Sequence, residues 1–367
     1  MNRKKNPLKT ALKIFCIVLG IIIIALAAYV AYFLLSYGRL SDNFELSVHN
    51  NAEFDRTLKL DGEGTYSIMS NNVGFGAYSY DFDFFMDGGT QSWAFSKDAI
   101  FENLNGALKK LTAENPDFVM LQEVDEDSTR TYHVNELEFV NLIMKEYAYT
   151  YAYNYFKSSF IAYPFLQPHG SITSGIVTYS RYGIESGLRR SLPISESISK
   201  VLDLDRCYSI SKVPMDNGKY LVLFNVHLSA YGSDDSVREG QVSMLFNDMV
   251  AEYEAGNYVI CGGDFNHDLL LKEGEQGYST WACAFPRSSI PEHFSLAMDL
   301  FGDDYKYSLD MTCRDCDEPY AKGHTNEFIV DGFIVSDNVS VLSYENLNSG
   351  YLYSDHEPVL MKFELKH

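Results

Sequence analysis

Residues 258–266 read Tyr-Val-Ile-Cys-Gly-Gly-Asp-Phe-Asn. A short apolar run of this kind is a buried strand, and it ends in a carboxylate, Asp264, and an amide, Asn266. The same arrangement recurs outward along the chain in both directions. Asn72 follows Tyr-Ser-Ile-Met-Ser-Asn, Glu123 follows Val-Met-Leu-Gln, and His227 follows Leu-Val-Leu-Phe-Asn-Val. Asp331 follows Phe-Ile-Val, and Asp355-His356 stands just before the last apolar segment. Strand ends can gather residues distant in sequence into one cleft.

Carboxylate and amide oxygens suit a hard cation such as Mg²⁺ or Mn²⁺. Two imidazoles with carboxylate neighbours suit proton transfer and stabilisation of a phosphoryl transition state. The chain contains no GxSxG elbow, HExxH, Walker loop or GxGxxG. Each residue alone has an ordinary reading. Asn72 and Asp331 sit where turns occur, Asp264 and Asn266 could form an Asx turn, and Asp355 could cap a local turn. His227 could be a satisfied core histidine, and Glu123 lies beside Asp125, Glu126 and Asp127 in what could be a solvated acidic loop. Their occurrence together, in this order, is what points to a site.

The remaining segments predict strands at 66–73, 118–124, 175–180, 206–213, 220–227, 328–335, 340–344 and 358–363. Helical spacing covers 96–114, with Ile100, Leu104, Leu108 and Leu111 on one side and Pro116 ending it, and also 134–147 and 233–255. Tyr147, Tyr149, Tyr151, Tyr153 and Tyr155 alternate with smaller residues, which places them on one strand face. Asp216-Asn217-Gly218 between two strands is a hairpin turn. Mixed sheets flanked by helices, in a layered α+β or α/β domain without an internal boundary, fit this order.

The 367 residues carry 29 Lys and Arg against 50 Asp and Glu, a formal net charge of -21. Arg3, Lys4, Lys5, Lys9 and Lys13 precede the first acid, so the rest of the chain carries five cations fewer, or -26. Such a surface repels polyanions at long range. Residues 14–35 hold no charge and, as a helix, would span about 33 Å, the thickness of a bilayer's hydrocarbon core. With cations before it, this run predicts a single-pass signal anchor: a basic tail (1–13) in the cytoplasm, an irregular linker (36–63), and a domain from 64 to 367 outside the cytoplasm. Cys313 and Cys316 form a lone CxxC. Zinc would need further soft ligands, and the pair is read as a small disulfide or as two free thiols. Nothing in the sequence points to a protein partner.

The succession N-V (72–73), Q-E-V (122–124), N-V-H-L (225–228), G-G-D-F-N (262–266), V-D-G-F-I-V (330–335) and S-D-H-E-P-V (354–359) resembles the endonuclease/exonuclease/phosphatase superfamily over roughly residues 64–365. The resemblance implies a four-layer sandwich, two packed mixed sheets with helices outside, with one site at the sheet edges. It implies Asn72, Glu123 and Asp355 at a Mg²⁺ or Mn²⁺ ion. It further implies Asp264 orienting or deprotonating water, with Asn266 fixing its neighbour or the phosphate. His356 would lie against the phosphoryl group with Asp331 as its partner, and His227 would be the second imidazole. His169, Ser171, Thr173 and Ser174 are equal candidates for a phosphate contact. The CxxC departs from the common pattern and is expected to touch neither the metal nor the His positions.

Three functions follow. The first is hydrolysis of a lipid headgroup or small phosphoester beside the membrane, the second an anchored endonuclease or exonuclease, the third a binding module with a vestigial site. Residues 75–95 hold seven Phe or Tyr and Trp93. They form either a loop packed on its own aromatics or a wall for a sugar, cation or lipid.

Overall fold

The computed structural model describes residues 7–36, 38–194, 205–229, 235–275, 277 and 281–366. Arg3, Lys4 and Lys5 of the basic tail and the first two residues of the helix expected over 233–255 lie outside the described residues.

The first helix, Pro7–Ser36, is long and apolar enough to cross a membrane, and none of its residues is buried. It begins before the uncharged run and takes Lys9 and Lys13 into its first turns.

Two seven-stranded mixed sheets follow. One runs Phe44–Leu46, Ser186–Ser191, Cys207–Pro214, Tyr220–His227, Tyr258–Asp264, Asp331–Ser336 and Phe294–Leu296, in spatial order. The other runs Val339–Asn346, Val359–Leu365, Tyr66–Asn72, Phe118–Asp125, Ser174–Ser180, Ala148–Tyr155 and Val48–Asn50. Their facing sides share one core that includes Ile68, Met120, Leu223, Ile260 and Phe333. Helix Asp235–Glu254 buries Val242, Leu245, Phe246 and Met249 on the outer side of the first sheet. Helix Lys97–Glu114 buries Ile100, Leu104, Leu108 and Leu111 on the outer side of the second, where Val140 of helix Glu136–Ile143 joins them. These are the four layers that the family resemblance implied.

Caps set the helix limits. Ser96 Oγ accepts from Ala99 N at 3.1 Å, and Asn115 closes the same helix in the left-handed conformation. The helix expected from 134 starts at Glu136 instead, because Asn135 Oδ1 accepts from Glu138 N at 2.8 Å and so occupies the N-cap.

Part of the segment read as a linker, 36–63, pairs with the sheets. Phe44–Leu46 pairs with Ser186–Ser191 at the edge of the first sheet, and Val48–Asn50 pairs with Ala148–Tyr155 at the edge of the second. One short segment therefore ties both sheets together. Strands of three residues are too short to show an alternation in sequence.

Between the sheets lies a buried amide bridge. Gln122 Nε2 donates to Asn225 Oδ1 at 2.8 Å, and Asn225 Nδ2 donates to Val177 O at 2.9 Å. Gln122 precedes Glu123 by one residue and Asn225 precedes His227 by two. The bridge thus holds the ends of the two sheets in fixed register at the site.

Candidate active site

Strand Tyr258–Asp264 lies between Tyr220–His227, parallel, and Asp331–Ser336, antiparallel, and the register sets Asp264 opposite both His227 and Asp331. This packing depends on the two glycines before Asp264. A Cβ on Gly263, whose φ is +138°, would lie 2.1 Å from Val226 O, and one on Gly262 would lie 2.4 Å from the Phe333 ring. Asp264 Oδ1 accepts from Asn266 N at 2.8 Å, and Oδ2 from Asn266 Nδ2 at 3.2 Å, while Asn266 Nδ2 also donates to Leu228 O at 2.9 Å. The Asx turn is real, and it is also what aims the Asp264 carboxylate.

The second sheet supplies the opposite wall. Asn72 Nδ2 donates to Asp264 Oδ2 at 3.0 Å and to Glu123 Oε1 at 3.3 Å. The pairing of Phe118–Asp125 with Ser174–Ser180 slips between Leu121 and Val124, and Glu123 has φ +55°. Such a bulge re-aims a side chain, here toward Asn72 and His227. Asp355 Oδ2 accepts from Cys316 Sγ at 3.4 Å, and Ser354 Oγ bonds Asn72 O at 2.9 Å, which ties the Asp355-His356 segment to the Asn72 strand.

Two imidazoles flank Asp264. His227 Nε2 lies 3.3 Å and His356 Nε2 3.8 Å from Asp264 Oδ2. They differ in charge. Burial disfavours charge on both, and at His227 the cations Arg206, His356 and Arg130 add to it, so its pKa falls well below the ordinary imidazole value. At His356 burial is outweighed by Asp331, then Cys313 and Asp264, and its pKa stands well above that value. His356 Nδ1 is 2.7 Å from Asp331 Oδ2, and the proton between them belongs to the pair.

Asn154 fixes the state of His227. Its Oδ1 accepts from Cys207 N at 3.2 Å, so its Nδ2 faces His227 Nδ1 at 3.3 Å. On this assignment Nδ1 of the neutral ring accepts and Nε2 carries the hydrogen. His227 Nε2 is buried and has no hydrogen-bond partner among the described residues.

The site opens into a cavity of about 520 Å³ lined by Glu123, His227, Asp264, Asn266, Asp355 and His356, and also by Tyr78, Phe84, Met86 and Trp281. Its donors fit a divalent cation. Burial, then Asp355, raise the Glu123 carboxyl pKa, although Arg130 opposes them. Asp331 Oδ1 is buried without a partner among the described residues. Ligand atoms of Asp264, Asp331 and His356 lie within 4.8 Å of one another. An oxygen-rich, charge-crowded pocket of this kind is relieved by a hard cation.

Several residues in the cavity escaped the sequence reading. Asn154 ends the face of Ala148–Tyr155 opposite the tyrosines, and that small-residue face, Ala148, Thr150, Ala152 and Asn154, was the available signal. Arg130 pairs with buried Asp125 through two bonds of 2.9 Å, so the expected acidic loop is partly an internal ion pair. Arg206 is 5% exposed, lines the cavity, and leaves Nε and Nη1 without partners among the described residues. In the 169–175 segment His169 and Ser174 line the cavity, whereas Ser171 Oγ donates to Ser158 O and Thr173 Oγ1 accepts from Lys157 N.

The CxxC expectation is corrected. Cys313 Sγ lies 3.5 Å from His356 Nε2, and Cys316 Sγ bonds Asp355. Both are buried free thiols, and burial pushes the Cys313 thiol up to about 12. An isolated bridge between Cys313 and His356 brings the segment into the site, a long-range contact that motif spacing does not encode. In the aromatic segment Phe75, Tyr78, Phe82 and Phe84 are buried and pack edge to face, while Tyr78 and Phe84 also line the cavity.

The sequence model of the endonuclease/exonuclease/phosphatase family matches residues 101–290, and the chain belongs to this family. It is an enzyme of the phosphoester-hydrolysing class. No curated protein sequence matches it. Solved structures share the fold. An endonuclease/exonuclease/phosphatase from Beutenbergia cavernae is 14% identical, with 82% of this chain and 72% of that one covered and a TM-score of 0.54. TDP2 of D. rerio, complexed with a single strand DNA product, is 14% identical, with 82% and 100% covered and a TM-score of 0.53. The human Nocturnin catalytic domain, with bound sulfate, is 18% identical, with 88% and 97% covered and a TM-score of 0.51.

Proposed function

We propose that the chain is a membrane-anchored phosphodiesterase that hydrolyses a lipid headgroup or another small phosphoester outside the cytoplasm. The observation that carries the chemistry is the unpartnered Nε2 of neutral His227 beside Asp264, with the charged His356–Asp331 pair on the other side. Asp264, aimed by Asn72 and Asn266, orients the attacking water and accepts its proton. The His356 cation holds a phosphoryl oxygen, and Asp331 keeps it charged. His227 Nε2–H donates to the oxygen that carries the developing charge. Arg206 meets a second phosphate oxygen. Glu123 and Asp355, with Asn72, would hold Mg²⁺ or Mn²⁺, which supplies neutralisation of phosphate charge.

Helix Pro7–Ser36 supports the anchor, and the cations at Lys9 and Lys13 before the uncharged run support a cytoplasmic N-terminus. Protease added to right-side-out vesicles is expected to digest the domain. For the substrate, the full chain in phospholipid vesicles with Mg²⁺ is offered phospholipids, sphingomyelin, inositol phosphates and plasmid DNA at physiological salt. The acidic surface, -21 for the whole chain, predicts that a lipid or small phosphoester is turned over fastest. Faster cleavage of the plasmid would assign the site to a nuclease.

A further inference from the structure

Residues 156–168 read Phe-Lys-Ser-Ser-Phe-Ile-Ala-Tyr-Pro-Phe-Leu-Gln-Pro. In a chain with 50 acidic residues, none occurs between 147 and 184. Within this stretch Tyr163 is 59%, Phe165 86% and Leu166 102% exposed, and Phe156 and Phe160 are exposed as well. Large apolar side chains gathered on one exposed loop mark an interaction surface.

The anchor helix shows what covers it. Tyr29 OH donates to Phe160 O at 3.0 Å and accepts from Ala162 N at 3.0 Å, Tyr32 OH accepts from Phe160 N at 3.2 Å, and Ser36 Oγ pairs with Ser159 Oγ at 2.8 Å. Tyr29 stands seven residues before Ser36, about 10 Å back along the helix. A span of 14–35 puts Tyr32 in its last turn, near the headgroup level where Tyr anchors helices, and Tyr29 one turn deeper, about 9 Å inside the end of the span. The loop that bonds them lies at the same depth.

The loop is also joined to the active site. Trp93 Nε1 donates to Pro168 O at 2.7 Å and Ser92 Oγ to Gln167 O at 2.5 Å. Ring contacts run from Tyr163 to Phe85 at 6.0 Å, from Phe85 to Phe84 at 5.0 Å, and from Phe84 to His169 at 5.8 Å. Phe84 and His169 line the cavity.

We propose that residues 156–168 form a wedge in the outer leaflet, with Phe165 and Leu166 at its tip, which sets the aromatic lip of the cavity against the lipid headgroups. The occupant of this surface is the bilayer that holds the chain's own anchor, so the inference rests on the anchored reading above and narrows its substrate to phosphoesters presented in a membrane surface.

The test uses the full chain in phosphatidylcholine vesicles. Phe165→Trp is expected to add a blue-shifted emission that acyl chains brominated near the headgroup quench, beyond any quenching of the native Trp93 and Trp281. Emission from this variant quenched no more than the wild type would overturn the wedge. Quenching lost at one chain per vesicle would assign the loop to a second copy and overturn it too. In the same vesicles, Phe165→Ser with Leu166→Ser is expected to lower phospholipid hydrolysis at least about tenfold, while hydrolysis of soluble bis(p-nitrophenyl) phosphate stays unchanged. Equal effects on both substrates would overturn the wedge's role in presenting lipid. If the wild type hydrolyses neither, the phosphoesterase reading fails, and the quenching still decides where the loop lies.

Discussion

His227 and Asp264 end adjacent parallel strands in register, and His227 Nε2 lies 3.3 Å from Asp264 Oδ2 without bonding it. The relationship leaves one N–H free beside one carboxylate, which is what a proton donor and a water-orienting base require. His227→Ala and Asp264→Asn should each lower phosphodiester hydrolysis by about 10²–10⁴ with the fold intact by circular dichroism. His133, exposed and paired with Asp127, is the control, and its alanine variant should retain activity. If His227→Ala behaves like that control, the second imidazole has no part in the chemistry.

Asn154 acts through His227 by holding its tautomer. Asn154→Ala should lower kcat about tenfold, the worth of one lost hydrogen bond, and leave KM nearly unchanged. A change confined to KM would mean that Asn154 contacts substrate instead.

Arg206 predicts opposite effects on stability and activity. Its buried Nε and Nη1 have no partner among the described residues, a cost the folded chain bears without substrate. Arg206→Met should lower kcat/KM by about 10–100-fold, for loss of a charge-assisted bond, and raise Tm by about 2–4 °C. A lower Tm with unchanged kcat/KM would make Arg206 a structural residue.

His169 gives a pH signature. Burial, then Arg130, depress its pKa from 6.5 to about 4. The unfolded chain therefore takes up the proton first as pH falls. The native state bears no penalty above about 6.5, and the penalty grows as pH falls from there toward 4, reaching on the order of 3 kcal/mol. His169→Gln should flatten this part of the stability profile. Identical wild-type and variant curves between pH 7 and 4 would show that His169 is not held neutral.

Much of the site was legible because its residues end strands. Asn72, Glu123, His227, Asp264 and Asp331 each close or open an apolar run, and the sheet register then brings them together. Asn154 was hidden within the tyrosine strand, since the alternation drew attention to the wrong face. Arg206 and the CxxC were illegible for another reason. The burial of Arg206, with Nε and Nη1 lacking partners among the described residues, follows from tertiary packing, and the approach of Cys313 to His356 is a tertiary contact across 43 residues. The two short strands in the expected linker owe their structure to the edges they join, not to any local periodicity.

The central claim is that the crowded carboxylates hold a cation for phosphoester hydrolysis. Its most direct test is the rate of bis(p-nitrophenyl) phosphate hydrolysis by the full chain as a function of Mg²⁺, for the wild type and for Glu123→Gln. The account predicts no activity in EDTA, recovery on adding Mg²⁺ or Mn²⁺, and a half-saturating Mg²⁺ concentration at least about tenfold higher for Glu123→Gln. Activity that survives chelation unchanged, or a Glu123→Gln curve that overlays the wild type, would contradict it.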